Sequence, residues 1–159
     1  MSEIRQSDIA PAAADQALAI RLGFAGLVPL VVLSLWLAGI PVEHVWREMT
    51  IRLLTGYCAV VLSFLGGVRF ALAMSGAYAG TRRDIAISVL PALLAWAVMF
   101  IPPYLGFVLL AVAFAAHGAW DALSGQGGIV PAWFVRLRTQ LTAVAVISMI
   151  IAFAATAAG

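Results

Sequence analysis

The amino-acid sequence predicts an all-α protein dissolved in a bilayer. The expected form is a polytopic bundle of five transmembrane helices with a short interfacial helix between the first two. Two observations carry this. Charged residues make up only 10% of the 159-residue chain, whereas a soluble domain carries about 25% to face water. Apolar types make up 64% and fall into long runs, and the mean hydropathy is +1.07, the composition of a chain solvated by lipid. Soluble enzymes, disordered tails and disulfide scaffolds are excluded.

Met1 to Ala17 is polar and carries Glu3, Arg5, Asp8 and Asp15. It lacks the basic start and short apolar core of a secretory signal, so residues 1–17 read as an N-terminal tail and residues 18–158 as one membrane domain. The first apolar stretch, Leu18 to Gly39, contains Pro29. Pro41 to Thr50 then sets Val42, Val45, Trp46 and Met49 on one helical face, opposite Glu43, His44, Arg47 and Glu48. That is the pattern of a short amphipathic helix lying on the membrane.

The second stretch runs from Ile51 to Met74, the third from Ile85 to Ile101 with Pro91 inside, and the fourth from Tyr104 to Trp120. The third and fourth hold 17 residues each, the lower limit of about 17 for crossing a bilayer, and Pro102-Pro103 joins them tightly. Pro29 and Pro91 each remove a backbone donor and are expected to bend their helices. Thr81-Arg82-Arg83-Asp84 reads as a capping box before the third stretch, and Ser124 to Gly128 as a flexible turn. The fifth stretch starts near Pro131 or Thr139, with Trp133 and Phe134 at headgroup depth, and ends near Ala157.

The net charge of +2 comes from nine arginines and seven acids, with no lysine. This removes a P-loop or a Schiff-base lysine, and the scattered arginines form no nucleic-acid stripe. With alternate loops on opposite faces, seven arginines fall on one side and only Arg47 and Arg52 on the other. The positive-inside rule then sets the amino terminus inside and the carboxyl terminus outside, in a bacterial cytoplasmic membrane.

In lipid, helices meet through small residues at four-residue spacing. Ala59, Ser63, Gly67 and Ala71 form such a ladder, and Ala111, Ala115 and Ala119 form another. Arg69 lies about 200° from Gly67 around the helix and points away from that ladder. It either snorkels to the inner interface or pairs inside the bundle. His117 and Asp121 stand at i and i+4 on a stripe with Leu110 and Phe114, so Arg69, His117 and Asp121 form the candidate polar cluster. The bland alternative is that Asp121 is the first residue in water after Trp120.

No nucleophile–base–acid set appears and no cofactor is called for, so an enzyme is not expected. His44 and His117 fall on opposite faces, which excludes a shared metal site, and Cys58 reads as a small packed hydrophobe. The expected partners are the lipid bilayer and other membrane proteins or further copies of the chain. The leading functional expectation is an accessory or assembly factor that binds partner helices. The alternative is a small-molecule or ion carrier or sensor, with an inward-facing pocket between the second and fourth spans.

The string Tyr57-Cys58-Ala59-Val60-Val61-Leu62-Ser63-Phe64-Leu65-Gly66-Gly67-Val68-Arg69-Phe70 resembles the signature of the transmembrane protein 69 family. Agreement extends to Gly26-Leu27-Val28-Pro29, to Ser88-Val89-Leu90-Pro91 with Trp96, and to Pro131-Ala132-Trp133-Phe134 with Arg136-Leu137-Arg138 and Leu141-Thr142. It spans about Gly23 to Ser148, and departs from the family pattern at Phe70 and Phe134. The resemblance implies an integral membrane protein with no assigned activity. It draws attention to Ser63, Gly66, Gly67, Arg69, Pro91, Trp133 and Arg136 without giving any of them a role.

Overall fold

A computed structural model describes residues 13–74, 82–126 and 132–157. These form seven helices: α1 (Ala13–Ala25), α2 (Val28–Gly39), α3 (Arg47–Met74), α4 (Arg82–Ser88), α5 (Leu90–Val98), α6 (Pro103–Gln126) and α7 (Ala132–Ala157). No strand occurs among the described residues. Four stretches of the described residues are long and apolar enough to cross a membrane: Ala14–Gly39, Arg47–Met74, Pro103–Leu123 and Ala132–Ala157. Most of the expected tail and its charges, Thr81 of the expected capping box, and residues 127–131 lie outside the described residues, whereas Ser124 to Gln126 of the expected flexible turn form the end of α6.

The first crossing bends where its proline requires. α1 ends at Ala25, and Pro29 sits at the second position of α2, where its missing N–H costs nothing. Between them Leu27 N–H bonds the Phe24 carbonyl in a tight four-residue turn, and the Tyr57 hydroxyl donates to the Gly26 carbonyl at 2.5 Å. α1 itself starts at Ala13, inside the stretch read as tail.

Two expectations need correction. The third span, Ile85 to Ile101, is two short helices meeting at Val89. Pro91 cannot donate to the Ile87 carbonyl and its ring crowds that group, so the chain restarts with Pro91 in the first turn of α5. The pair still runs along the bundle. Ser88 lies against Gly66 near one end of α3, while Met99 and Ile101 line a cavity with Ile51 and Arg52 at the other.

The interfacial helix expected over Pro41 to Thr50 is instead a run of turns, with α3 starting at Arg47. His44 N–H bonds the Pro41 carbonyl and Arg47 N–H bonds that of His44. The imidazole accepts from Trp46 N–H at 3.2 Å, a local bond that competes with helix formation. Val45 and Trp46 face outward there, 82% and 58% exposed.

Leu30 and Leu37 of α2, Leu54, Cys58 and Leu62 of α3, Phe107, Leu110 and Phe114 of α6, and Met149 of α7 fill the centre. α6 and α7 form the most extensive helix pair. Their approach depends on Gly118, where an added Cβ would lie 2.5 Å from Thr142 Cγ2 and Oγ1. α3 and α4 meet through Gly66 in the same way, with Ser88 O only 2.6 Å from where a Cβ would stand.

Candidate functional site

Each charged residue of the site continues the buried stripe of its helix. On α3 the inward positions are Thr50, Leu54, Cys58, Leu62, Gly66 and then Arg69. Their spacing of three and four keeps them on one face. On α6, Phe107, Leu110 and Phe114 lead to His117 and Asp121. On α7, Ala152, Met149 and Ala145 lead back to Arg138. Gly118 is adjacent to His117 and Thr142 is one turn from Arg138, so the close approach of α6 and α7 brings Asp121 to Arg138.

Asp121 is the centre. Its Oδ1 accepts from Arg69 Nε at 2.8 Å, with Arg69 Nη2 at 2.6 Å. Its Oδ2 accepts from Arg138 Nε at 2.6 Å. One carboxylate thereby ties α3, α6 and α7 together. Relative exposures are 6% for Arg69, 4% for His117, 8% for Asp121 and 9% for Arg138, so the ion pairs are removed from water. Removing one partner of such a buried pair costs about 3–5 kcal/mol, because a charge is stranded. The Arg69 guanidinium also lies over the Trp120 ring, 4.7 Å from its centroid.

His117 Nδ1 lies 3.4 Å from Arg138 Nη2 and 3.5 Å from Asp121 Oδ2. Its Nε2 is buried with no hydrogen-bond partner among the described residues. A buried polar group left so costs about 1–3 kcal/mol.

The structure therefore brings Arg69, His117 and Asp121 to one point, and Asp121 is buried within α6 rather than the first residue in water. It adds Arg138, which in the sequence stands out only as one of the seven arginines on one side and as part of the family resemblance. The available signal was seven-residue spacing, since Arg138, Ala145 and Ala152 repeat on one face of α7, whereas Arg136 is turned outward. The ladder on α3 points the other way: Ser63, Gly67 and Ala71 are exposed, Ala59 is half-buried, and nothing lies within 4 Å of where a Gly67 Cβ would stand.

Cys58 is fully buried mid-helix, with Sγ 3.5 Å from Met149 Sδ. Among the described residues no group of three or more His, Cys, Asp and Glu is placed to hold a metal ion. What the cluster offers chemically is hydrogen bonding and charge.

Two cavities adjoin it beneath α1. One, of about 390 Å³, is lined by Arg69, His117, Asp121 and Arg138 together with apolar side chains such as Leu22, Phe64 and Leu72. The other, of about 350 Å³, extends past Leu30, Val61 and Tyr57. Leu22, Gly23, Phe64, Leu65, Arg138 and Leu141 line both.

Residues 16–154 match the family model described as "Protein of unknown function (DUF3429)". The chain belongs to the DUF3429 family. It is also 34% identical over 138 residues to a protein of Xenopus tropicalis named Transmembrane protein 69, covering 83% of this chain and 52% of that one. The chain thus spans about half the length of this curated relative. No solved structure matches. The DUF3429 match runs from within α1 to near the end of α7, so it takes in the whole Asp121 cluster and both cavities beside it. As a DUF3429 member the chain is a membrane protein of a family without an assigned function.

Proposed function

We propose that this DUF3429 protein is a non-enzymatic membrane protein that binds an amphiphile with an anionic head, as a carrier or sensor. The observation that supports the reading is a pocket with a charged wall that shares six lining residues with an apolar trough. Guanidinium groups only donate hydrogen bonds, and carboxylate and phosphate oxygens accept them in bidentate geometry. The Arg69–Asp121–Arg138 end thus suits an acidic head. From Arg69 the trough follows α3 back to Tyr57, about 18 Å of helix, which suits a fatty acyl chain.

The test is binding of a fluorescent fatty acid to the purified chain in detergent, with mass spectrometry of the lipids it retains. Arg138→Gln is expected to weaken binding about tenfold or more, the worth of one charge-assisted bond. Leu141→Trp, which fills the shared wall of both cavities without touching the ion pairs, is expected to weaken it as well. Saturable binding that neither substitution changes, or no binding at all, would sink the proposal.

A second reading, an accessory or assembly factor, is favoured by the outward stripe of Ser63, Gly67 and Ala71, which would let a partner helix approach closely. Cysteine placed at Gly67 would crosslink to a partner or a second copy under that reading, and would stay monomeric under the first.

The proposed topology has five crossings, α4 and α5 together forming the third, in a bacterial cytoplasmic membrane. The arginine-rich end holds Arg21, Arg69, Arg82, Arg83, Arg136 and Arg138 and faces the cytoplasm. A reporter fused after Gly159 is expected to be active only outside. Activity in the cytoplasm would reverse this orientation.

A further inference from the structure

A third cavity, of about 310 Å³, also borders His117. It is lined by Ile87, Leu90 and Pro91 near the α4–α5 break, and by Ala113, His117 and Trp120 of α6. It is apolar except for the imidazole and the indole. None of Arg69, Asp121 and Arg138 lines it, whereas all three line the 390 Å³ cavity that His117 also borders.

His117 Nδ1 faces the ion pairs, 3.4 Å from Arg138 Nη2 and 3.5 Å from Asp121 Oδ2, an oxygen that already accepts from Arg138 Nε at 2.6 Å. An arginine N–H only donates, so the Arg138 contact uses the Nδ1 lone pair and puts the ring proton on Nε2. Nε2, the other ring nitrogen, is the atom with no partner among the described residues. A buried donor is normally satisfied. The residue that carries it lines the apolar cavity, beside the Trp120 ring, whose centroid is 6.1 Å from that of the imidazole. Leu90, at the rim, is 55% exposed, so the cavity borders the lipid-facing surface.

We propose that this cavity binds the ring of a lipid-soluble quinone-type compound, with one carbonyl oxygen accepting the His117 Nε2–H. The chemistry asks for an uncharged, flat, apolar molecule with a strong acceptor and no need of a counter-ion. About 310 Å³ falls at the small end of ligand pockets, roughly 300–1,000 Å³, a fit for a ring headgroup whose tail lies among lipid. The site needs no amphiphile in the other cavities and stands apart from the function proposed above.

The experiment uses the full chain in nanodiscs and a photoreactive benzoquinone bearing a decyl tail, with crosslinks mapped by mass spectrometry and competed by the unlabelled compound. Label is expected on Ile87–Leu94 and Ala113–Trp120. His117→Leu should reduce it about tenfold or more, a hydrogen bond to a buried donor being lost. His117→Gln keeps an N–H near the Nε2 position and should retain most of it. Ala113→Phe fills the cavity without touching the ion pairs. It should abolish the label while fatty-acid binding and the melting temperature hold, so a folding defect in His117→Leu does not decide the outcome. Label spread evenly over lipid-facing helices, or unchanged by both His117→Leu and Ala113→Phe, would overturn the proposal.

Discussion

Gly118 and Thr142 set the distance between α6 and α7. A methyl group at Gly118 would stand 2.5 Å from Thr142 Cγ2 and Oγ1 and 2.9 Å from its Cβ. A β-branched side chain has little freedom to retreat, so the helices must separate to admit one more carbon. Overpacking of this kind costs about 1–3 kcal/mol, and the separation would also stretch the Arg138–Asp121 contact. Gly118→Ala is expected to lower the melting temperature in detergent. Thr142→Ala in the same chain should restore part of the loss, because it removes two of the three clashing atoms. An unchanged melting temperature for Gly118→Ala would show that the contact does not constrain the pair.

Asp121 accepts from two arginines on two different helices, so its loss should cost more than the loss of either donor. Asp121→Asn leaves both guanidiniums without their carboxylate, and a destabilisation of about 3–5 kcal/mol is expected. Arg69→Gln and Arg138→Gln should each cost less, since one ion pair survives. The energies should not add: Asp121→Asn combined with Arg138→Gln should be milder than the sum of the singles, because no second charge is stranded. Strict additivity in melts of the four proteins would mean that the groups are not coupled.

Gly66 makes the corresponding close approach between α3 and α4. Ser88 O lies 2.6 Å from where its Cβ would stand, and that atom is backbone, which cannot rotate away. Gly66→Ala should therefore displace α4, with an expected cost of about 1–3 kcal/mol. Gly67→Ala, with nothing within 4 Å, should leave the stability of the single chain unchanged. Equal effects at these adjacent glycines would contradict the packing.

The contrast between those two glycines marks what the sequence could and could not convey. Hydropathy located four of the five expected spans as long apolar helices, while the stretch from Ile85 to Ile101 is broken into two short ones. Both internal prolines also mark real breaks, because the missing donor acts locally whatever the surroundings. The 200° between Gly67 and Arg69 placed them on different faces. Which face turns inward depends on neighbouring helices, and the four-residue ladder suggested Ser63 and Gly67 while the bundle uses Leu62 and Gly66. Arg69 and Asp121 were legible as a pair, because each continues an apolar stripe near the same end. Arg138 was not, since it lies beside Arg136 in what reads as a basic cap, and only helix rotation turns one in and the other out. The turns at Pro41–Trp46 escaped notice because His44 caps them with its own ring, a bond that periodicity does not register.

Arg47 closes the far end of the bundle. Its guanidinium donates from Nη1 to the Ile40 carbonyl at 3.3 Å and from Nη2 to the Ala155 carbonyl in the last turn of α7. The final carbonyls of a helix have no partner within it, and a cation there also suits the negative end of the helix dipole. The same side chain therefore fastens the α2–α3 connection to the end of α7. Arg47→Gln keeps a donor but loses the charge and one arm of the fork, and Arg47→Ala loses all of it. Amide exchange over residues 150–157 should rise modestly in the first and by about tenfold in the second, as one charge-assisted bond and its dipole contribution are removed. Exchange around Asp121, at the opposite end of the bundle, should stay at the parent rate in both. Faster exchange throughout the molecule would mean that Arg47 supports the whole fold rather than this helix end.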